Sequence, residues 1–115
     1  MNCFCDTEIT YLLKIEADVG AEPIWCQQCG CNLDLDDITI SSPLKRELMC
    51  WAQEYGEWID WNRDTLLPNG VEMEDKHNRQ GKFMTEKLKK ELAGRYQITF
   101  SPSTMARAYA SSNKF

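Results

Sequence analysis

The sequence predicts an α+β fold in which a small cysteine-stapled β hairpin or ribbon packs with two main α-helices and a short C-terminal strand. Three observations carry that prediction. Apolar residues alternate with polar ones from Ile9 to Val19, between Cys3 and Cys5 on one side and Cys26, Cys29 and Cys31 on the other. Two later stretches, Leu44 to Ile59 and Met73 to Leu92, repeat apolar residues at intervals of three and four. Tyr96, Ile98 and Phe100 then return to a period of two. Period two marks a half-buried strand and a period near 3.6 marks a helix. At 115 residues the chain has the size of a single domain. Within that domain, 1–115, residues 1–41 read as a metal-binding β unit and 42–115 as the mainly helical part.

In the first segment Ile9, Tyr11, Leu13, Ile15, Ala17 and Val19 share one face, and Thr10, Lys14, Glu16 and Asp18 the other. This is a half-buried strand bent once, or the two strands of a hairpin. Gly20 and Pro23 close it, and Ile24 and Trp25 lead into the second cysteine cluster. Asp34, Asp36 and Asp37 lie among Leu33, Leu35, Ile38 and Ile40. They lack the further oxygen ligands and the glycine of a calcium loop, so a solvated acidic loop is expected. Ser42-Pro43 opens the first helix, serine accepting from orphan backbone donors and proline supplying a preset φ. Leu44, Leu48, Trp51, Ala52, Tyr55, Trp58 and Ile59 form its apolar face, which is expected to be core. Pro68-Asn69-Gly70 is a turn signal. The second helix is expected from Glu72 to Ala93, with Met73, His77, Gly81, Met84, Leu88 and Leu92 on one face and Gly94 as its stop. Gly81 costs about 1 kcal/mol relative to alanine inside a helix. Its place on the apolar stripe predicts a close helix crossing, with a break near Gln80 as the alternative. Pro102-Ser103 leads into a last helical turn over residues 104–110.

Two thiol clusters about twenty residues apart have the spacing of a tetrahedral metal site formed by two tight turns. The expected ligands are Cys3, Cys5, Cys26 and Cys29, and the expected ion is structural Zn2+. Cys31 is the rival of Cys29, and Cys50, on the first helix, is expected to be a small apolar filler. In the run Cys26-Gln27-Gln28-Cys29-Gly30 the glycine permits the positive φ that aims amides at the sulfurs. This run resembles the C-x-x-C-G knuckle of zinc-ribbon and rubredoxin-like proteins, over residues 3–33. Cys3-Phe4-Cys5 departs from that pattern, with one intervening residue where the family usually has two. The resemblance implies a metal-holding knuckle, with zinc expected and a single iron as the rubredoxin-like alternative.

Catalytic zinc needs an open coordination position in a polar pocket. The chain's one histidine, His77, falls on an apolar helical stripe and reads as a packing residue. Cys50 has no basic neighbour to activate it, and neither a serine elbow nor a phosphate loop is present. A non-enzyme is therefore expected. No apolar run approaches the roughly 18 to 20 residues that span a bilayer, and the N-terminus lacks a basic segment followed by an apolar one. The expectation is a cytoplasmic protein with no membrane contact. Charge is split along the chain: residues 1–75 carry sixteen acidic against four basic residues, and residues 76–115 carry nine basic against two acidic. The acidic part, at −12, is expected to engage a basic protein, as regulators, inhibitors and immunity-type antitoxins do. The alternative is a nucleic-acid-associated zinc protein using the basic helix 76–95, through Lys76, Arg79, Lys82, Lys87, Lys89, Lys90 and Arg95.

Overall fold

The computed structural model describes Cys3, Cys5 and residues 9–112. Its strands among these are β1 (Leu12–Ile15), β2 (Ile24–Cys26), β3 (Ile59–Asp60), β4 (Thr65–Leu66) and β5 (Gln97–Phe100). Its α-helices are α1 (Ser42–Gln53), α2 (Gly70–Leu92) and α3 (Met105–Ser112), so the architecture is α+β. β1 and β2 pair antiparallel, with Leu13 opposite Cys26 and Ile15 opposite Ile24. All four side chains are fully buried, and they make one face of the hairpin the core face. The alternation overstates the strand because its ends turn to water: Ile9 is 46% exposed, Tyr11 63% and Val19 66%. Between the strands the Ala21 amide donates to the Asp18 carbonyl at 3.2 Å. Gly20 sits there at φ +71°, which glycine adopts without steric cost.

β5 lies on the other side of β1 and runs parallel to it, giving the order β2-β1-β5. The connection back is a long one through α1, the β3-β4 hairpin and α2, as parallel neighbours require. Buried residues from β1, β2, β5, α1 and α2 form one cluster, and Trp58, Ile59 and Ala106 form a smaller one beside it.

The helix cap is Ser41 rather than Ser42. Its hydroxyl accepts from the Leu44 amide at 3.3 Å, and Pro43 falls within the first turn. The Ser41 amide and hydroxyl both donate to the Glu91 carboxylate, at 2.6 and 2.7 Å. Those two bonds hold the Glu91 carboxyl below its ordinary range and tie the start of α1 to the end of α2. Tyr55, Trp58 and Ile59, expected on the helix, lie beyond its end at Gln53. Gly56, at φ +88°, takes the chain out of the helix, and Trp58 and Ile59 are buried at the start of a hairpin.

α2 runs unbroken through Gly81. A Cβ there would stand 2.5 Å from the Trp51 ring and 2.6 Å from the Phe100 ring, so only glycine allows the approach. One turn earlier His77 stacks on Trp51, with centroids 4.5 Å apart and planes 8° from parallel. The two residues also exchange hydrogen bonds: Trp51 Nε1 donates to the His77 carbonyl at 2.8 Å, and His77 Nε2 donates to the Trp51 carbonyl at 2.7 Å. A carbonyl only accepts, so Nε2 carries a proton. Burial holds the His77 pKa below its ordinary value. The helix ends where Ala93 and Gly94 take positive φ and the Ala93 amide returns to the Lys89 carbonyl. Glu74, not Met73, occupies the buried stripe. Its carboxylate accepts from the Ser103 hydroxyl at 2.7 Å and the Ala106 amide at 2.8 Å, at the positive end of α3.

Candidate functional site

β2 ends at Cys26 and the chain folds straight back. The Gly30 amide donates to the Cys26 carbonyl and the Cys26 amide to the Cys31 carbonyl, each at 3.0 Å. Gly30 takes φ +75°, the conformation expected of the residue after the second thiol of a knuckle. Asn32 then bridges to Trp25, and the Leu33 amide reaches the Ile24 carbonyl at 2.9 Å. The Asn32 side chain pins the return, donating to the carbonyls of Glu22 and Ile24 and accepting from the Glu22 amide. On the other flank the Gln27 amide donates to the Leu12 carbonyl at 2.8 Å. The knuckle is therefore a rigid extension of the central sheet.

This scaffold gathers Cys3, Cys5, Cys26 and Cys29, whose sulfurs all lie within 4.8 Å of one another. Four thiolates around zinc at about 2.3 Å would stand about 3.8 Å apart. The Cys5 and Cys26 sulfurs are already at 3.5 Å. Amides aim at two of the sulfurs, Cys29 N–H at Cys26 Sγ (3.5 Å) and Cys5 N–H at Cys3 Sγ (3.4 Å), the donor pattern that supports bound thiolates. Burial alone would raise the Cys26 thiol. The Cys29 amide, the Thr10 hydroxyl, the Gln28 amide and the Cys29 thiol outweigh it and bring the pKa down to about 6. Cys5 moves far upward, first because of its hydrogen bond with Cys3, then because of burial and the neighbouring Cys26. Four thiols at this spacing cannot all ionise unless a cation sits among them, and the donor set fits a tetrahedral thiophilic ion.

Cys31 is half-buried against the core and stands outside this group. Cys50 is exposed on α1, so the expectation of an apolar filler is wrong: the stripe places Leu48, Trp51 and Ala52 inward and leaves position 50 to solvent. Thr10 escaped the sequence reading because alternation assigned it to the wet face. In the structure it is buried under the knuckle.

Among the described residues the acidic and basic parts meet at two ion pairs, Lys87 with Glu47 at 3.0 Å and Arg107 with Asp75 at 3.6 Å. Glu22 is raised by burial, with Asp34 and Asp36 adding repulsion, which shows how densely acidic that end is. Glu54 and Glu57 flank a cavity of about 310 Å³ beside His77 and Trp58. Among the described residues no helix is long and apolar enough to cross a membrane.

A family model described as Serratia CdiI immunity protein-like matches residues 11–103, most of the chain. Cys26 and Cys29 fall within the match, and Cys3 and Cys5 precede it. No curated protein matches the chain.

Proposed function

The chain belongs to the Serratia CdiI immunity protein-like family, and from that membership we propose that it is a cytoplasmic immunity protein that neutralises a toxin by binding it. The carrying observation is the match over residues 11–103, which includes both main helices and the whole sheet. Neutralisation by binding asks for a rigid, charged surface and no reacting group. His77 is buried and committed through Nε2 to the Trp51 carbonyl.

The toxin surface is proposed to be basic. Asp34 and Asp36 near Glu22 at one end, and the exposed Glu54 and Glu57 at the foot of α1, supply the complementary field. Cys3, Cys5, Cys26 and Cys29 would hold Zn2+ in a closed set of four thiolates, where the ion cross-links the N-terminal segment to the knuckle without an open position. Its contribution is structural.

Capture from native lysate at graded salt, followed by growth assays with the captured protein expressed alone and with this chain, tests the reading. A captured protein that arrests growth alone and not with the chain supports it. A chain that rescues nothing it captures contradicts it. Reversal of charge at Glu54 and Glu57 is expected to slow association more than reversal at Lys87 and Lys90, and both effects weaken as salt screens them.

A further inference from the structure

The two edges of the three-stranded sheet are finished differently. The β2 edge is occupied by its own return at Asn32 and Leu33. β5 forms the other edge. The amides of Gln97 and Ser101 donate to the carbonyls of Tyr11 and Ile15. In a parallel ladder that phase turns the N–H and C=O groups of the intervening Ile98 and Phe100 away from β1. They meet no backbone partner among the described residues.

That open edge is the floor of a groove of about 580 Å³ between β5 and α2, flanked by Arg79, Lys82, Thr85, Lys89, Ile98 and Phe100. One end is closed, because Asn78 clamps the backbone of Ser103 with bonds of 3.0 and 2.9 Å. The rim carries Arg79, Lys82 and Lys89 against the one carboxylate of Glu86. Lys89 is held by Glu86 at 3.2 Å, while Arg79 and Lys82 are exposed and form no ion pair among the described residues. At about 3.3 Å per residue the edge from Gln97 to Pro102 accommodates an extended segment of about four to six residues. An open strand edge gives affinity through main-chain bonds, and the side chains above it select the sequence.

We infer that the β5–α2 groove is a docking site for an extended, carboxylate-bearing strand of the toxin, which adds to the sheet beside β5 and places its acidic side chains on Arg79 and Lys82. The toxin as source rests on the immunity reading, and the groove's preference for an acidic strand does not. The bound segment completes the sheet as β2-β1-β5-toxin and satisfies Ile98 and Phe100. It is a contact separate from the acidic face that draws the toxin in.

Two experiments on the full zinc-loaded chain test this. In the first, a hexapeptide alternating threonine and glutamate is titrated while amide shifts and hydrogen exchange are followed. At ten times the Kd read from the shifts, the Ile98 and Phe100 amides are expected to exchange about tenfold more slowly, and Arg79→Glu with Lys82→Glu is expected to abolish this at unchanged melting temperature. Equal binding of a threonine–lysine hexapeptide, protection elsewhere, or no saturable shift would overturn the site. So would tighter occupancy of the same amides by a single-stranded oligonucleotide. In the second, the same amides are followed in the toxin complex, where they are expected to be protected. A complex in which they exchange as in the free chain overturns the docking site and leaves the immunity reading standing. Absence of any complex overturns the immunity reading, while the peptide result stands on its own.

Discussion

The sulfur group and the α1–α2 crossing both pack polar atoms tightly, and they satisfy them in opposite ways. At the crossing, Trp51 and His77 stack and exchange two hydrogen bonds, and Gly81 lets the rings of Trp51 and Phe100 press onto the α2 backbone. The His77 Nδ1 there is left buried with no hydrogen-bond partner among the described residues. At the knuckle, four thiols converge, Cys26 is pushed toward ionisation and Cys5 away from it. That arrangement becomes uniformly favourable only around a cation. The lesson is that a small domain can be closed by packing at one end and by ligation at the other, and the two ends should fail under different treatments.

The largest expected effect is at the knuckle. Structural zinc sites contribute on the order of 10 kcal/mol, comparable with the about 5–15 kcal/mol of a whole domain. Cys26→Ser is expected to abolish zinc, read by elemental analysis, and to melt the N-terminal unit, read by circular dichroism, and chelation of the wild type is expected to do the same. Cys31→Ser and Cys50→Ser are expected to keep one zinc per chain. Loss of zinc in Cys31→Ser with retention in Cys29→Ser would show that the fourth ligand was misassigned.

Next comes Gly81→Ala. The new methyl meets two rings, an overpacking of about 1–3 kcal/mol, against about 1 kcal/mol regained in helix propensity. Urea denaturation is expected to show a net loss of up to about 2 kcal/mol with zinc content unchanged. A stabilised variant would mean that the crossing is looser than its geometry implies.

His77→Gln keeps a donor for the Trp51 carbonyl and loses the stacked ring, a loss of about 1 kcal/mol. It also carries a pH signature. The folded state lowers the His77 pKa, so stability is fully present above the ordinary histidine value and declines as pH falls through and below it. Melting temperature against pH is expected to show that decline in the wild type and a flatter profile in His77→Gln.

The smallest effect is at Glu22, whose carboxyl is raised by burial and by Asp34 and Asp36. A raised carboxylate contributes stability below its unfolded pKa and loses it as pH rises through the folded one. Glu22→Gln is expected to melt slightly higher than wild type near neutrality and to lose that advantage in acid. An unchanged melting temperature at both pH values would remove Glu22 from the account of the acidic end.

Much of this contrast was legible in the residues. The thiol spacing pointed to Cys3, Cys5, Cys26 and Cys29, and the helical stripe pointed to Gly81 as a crossing and His77 as packing, because covalent spacing and helix period are local. What the pattern missed is tertiary. Tyr55, Trp58 and Ile59 keep helical spacing, yet α1 ends at Gln53 and a positive φ at Gly56 turns the chain between Tyr55 and Trp58. Ile9, Tyr11 and Val19 alternate correctly and still face water, since they lie beyond the four residues of β1 that pair in the sheet. Glu74 was passed over as a charge, although it shares a face with His77 and Gly81. Its buried role exists only because Ser103 and Ala106 arrive from a distant segment. The open β5 edge follows from strand order, which periodicity does not encode.

The central claim is neutralisation by binding rather than by chemistry. Its most direct test is titration of a fixed amount of active toxin with the purified, zinc-loaded chain. The account predicts that residual toxin activity falls linearly to zero at one chain per toxin, with both proteins recovered intact from the complex. Inactivation by far less than one equivalent, or toxin left covalently altered after the chain is removed, would contradict it.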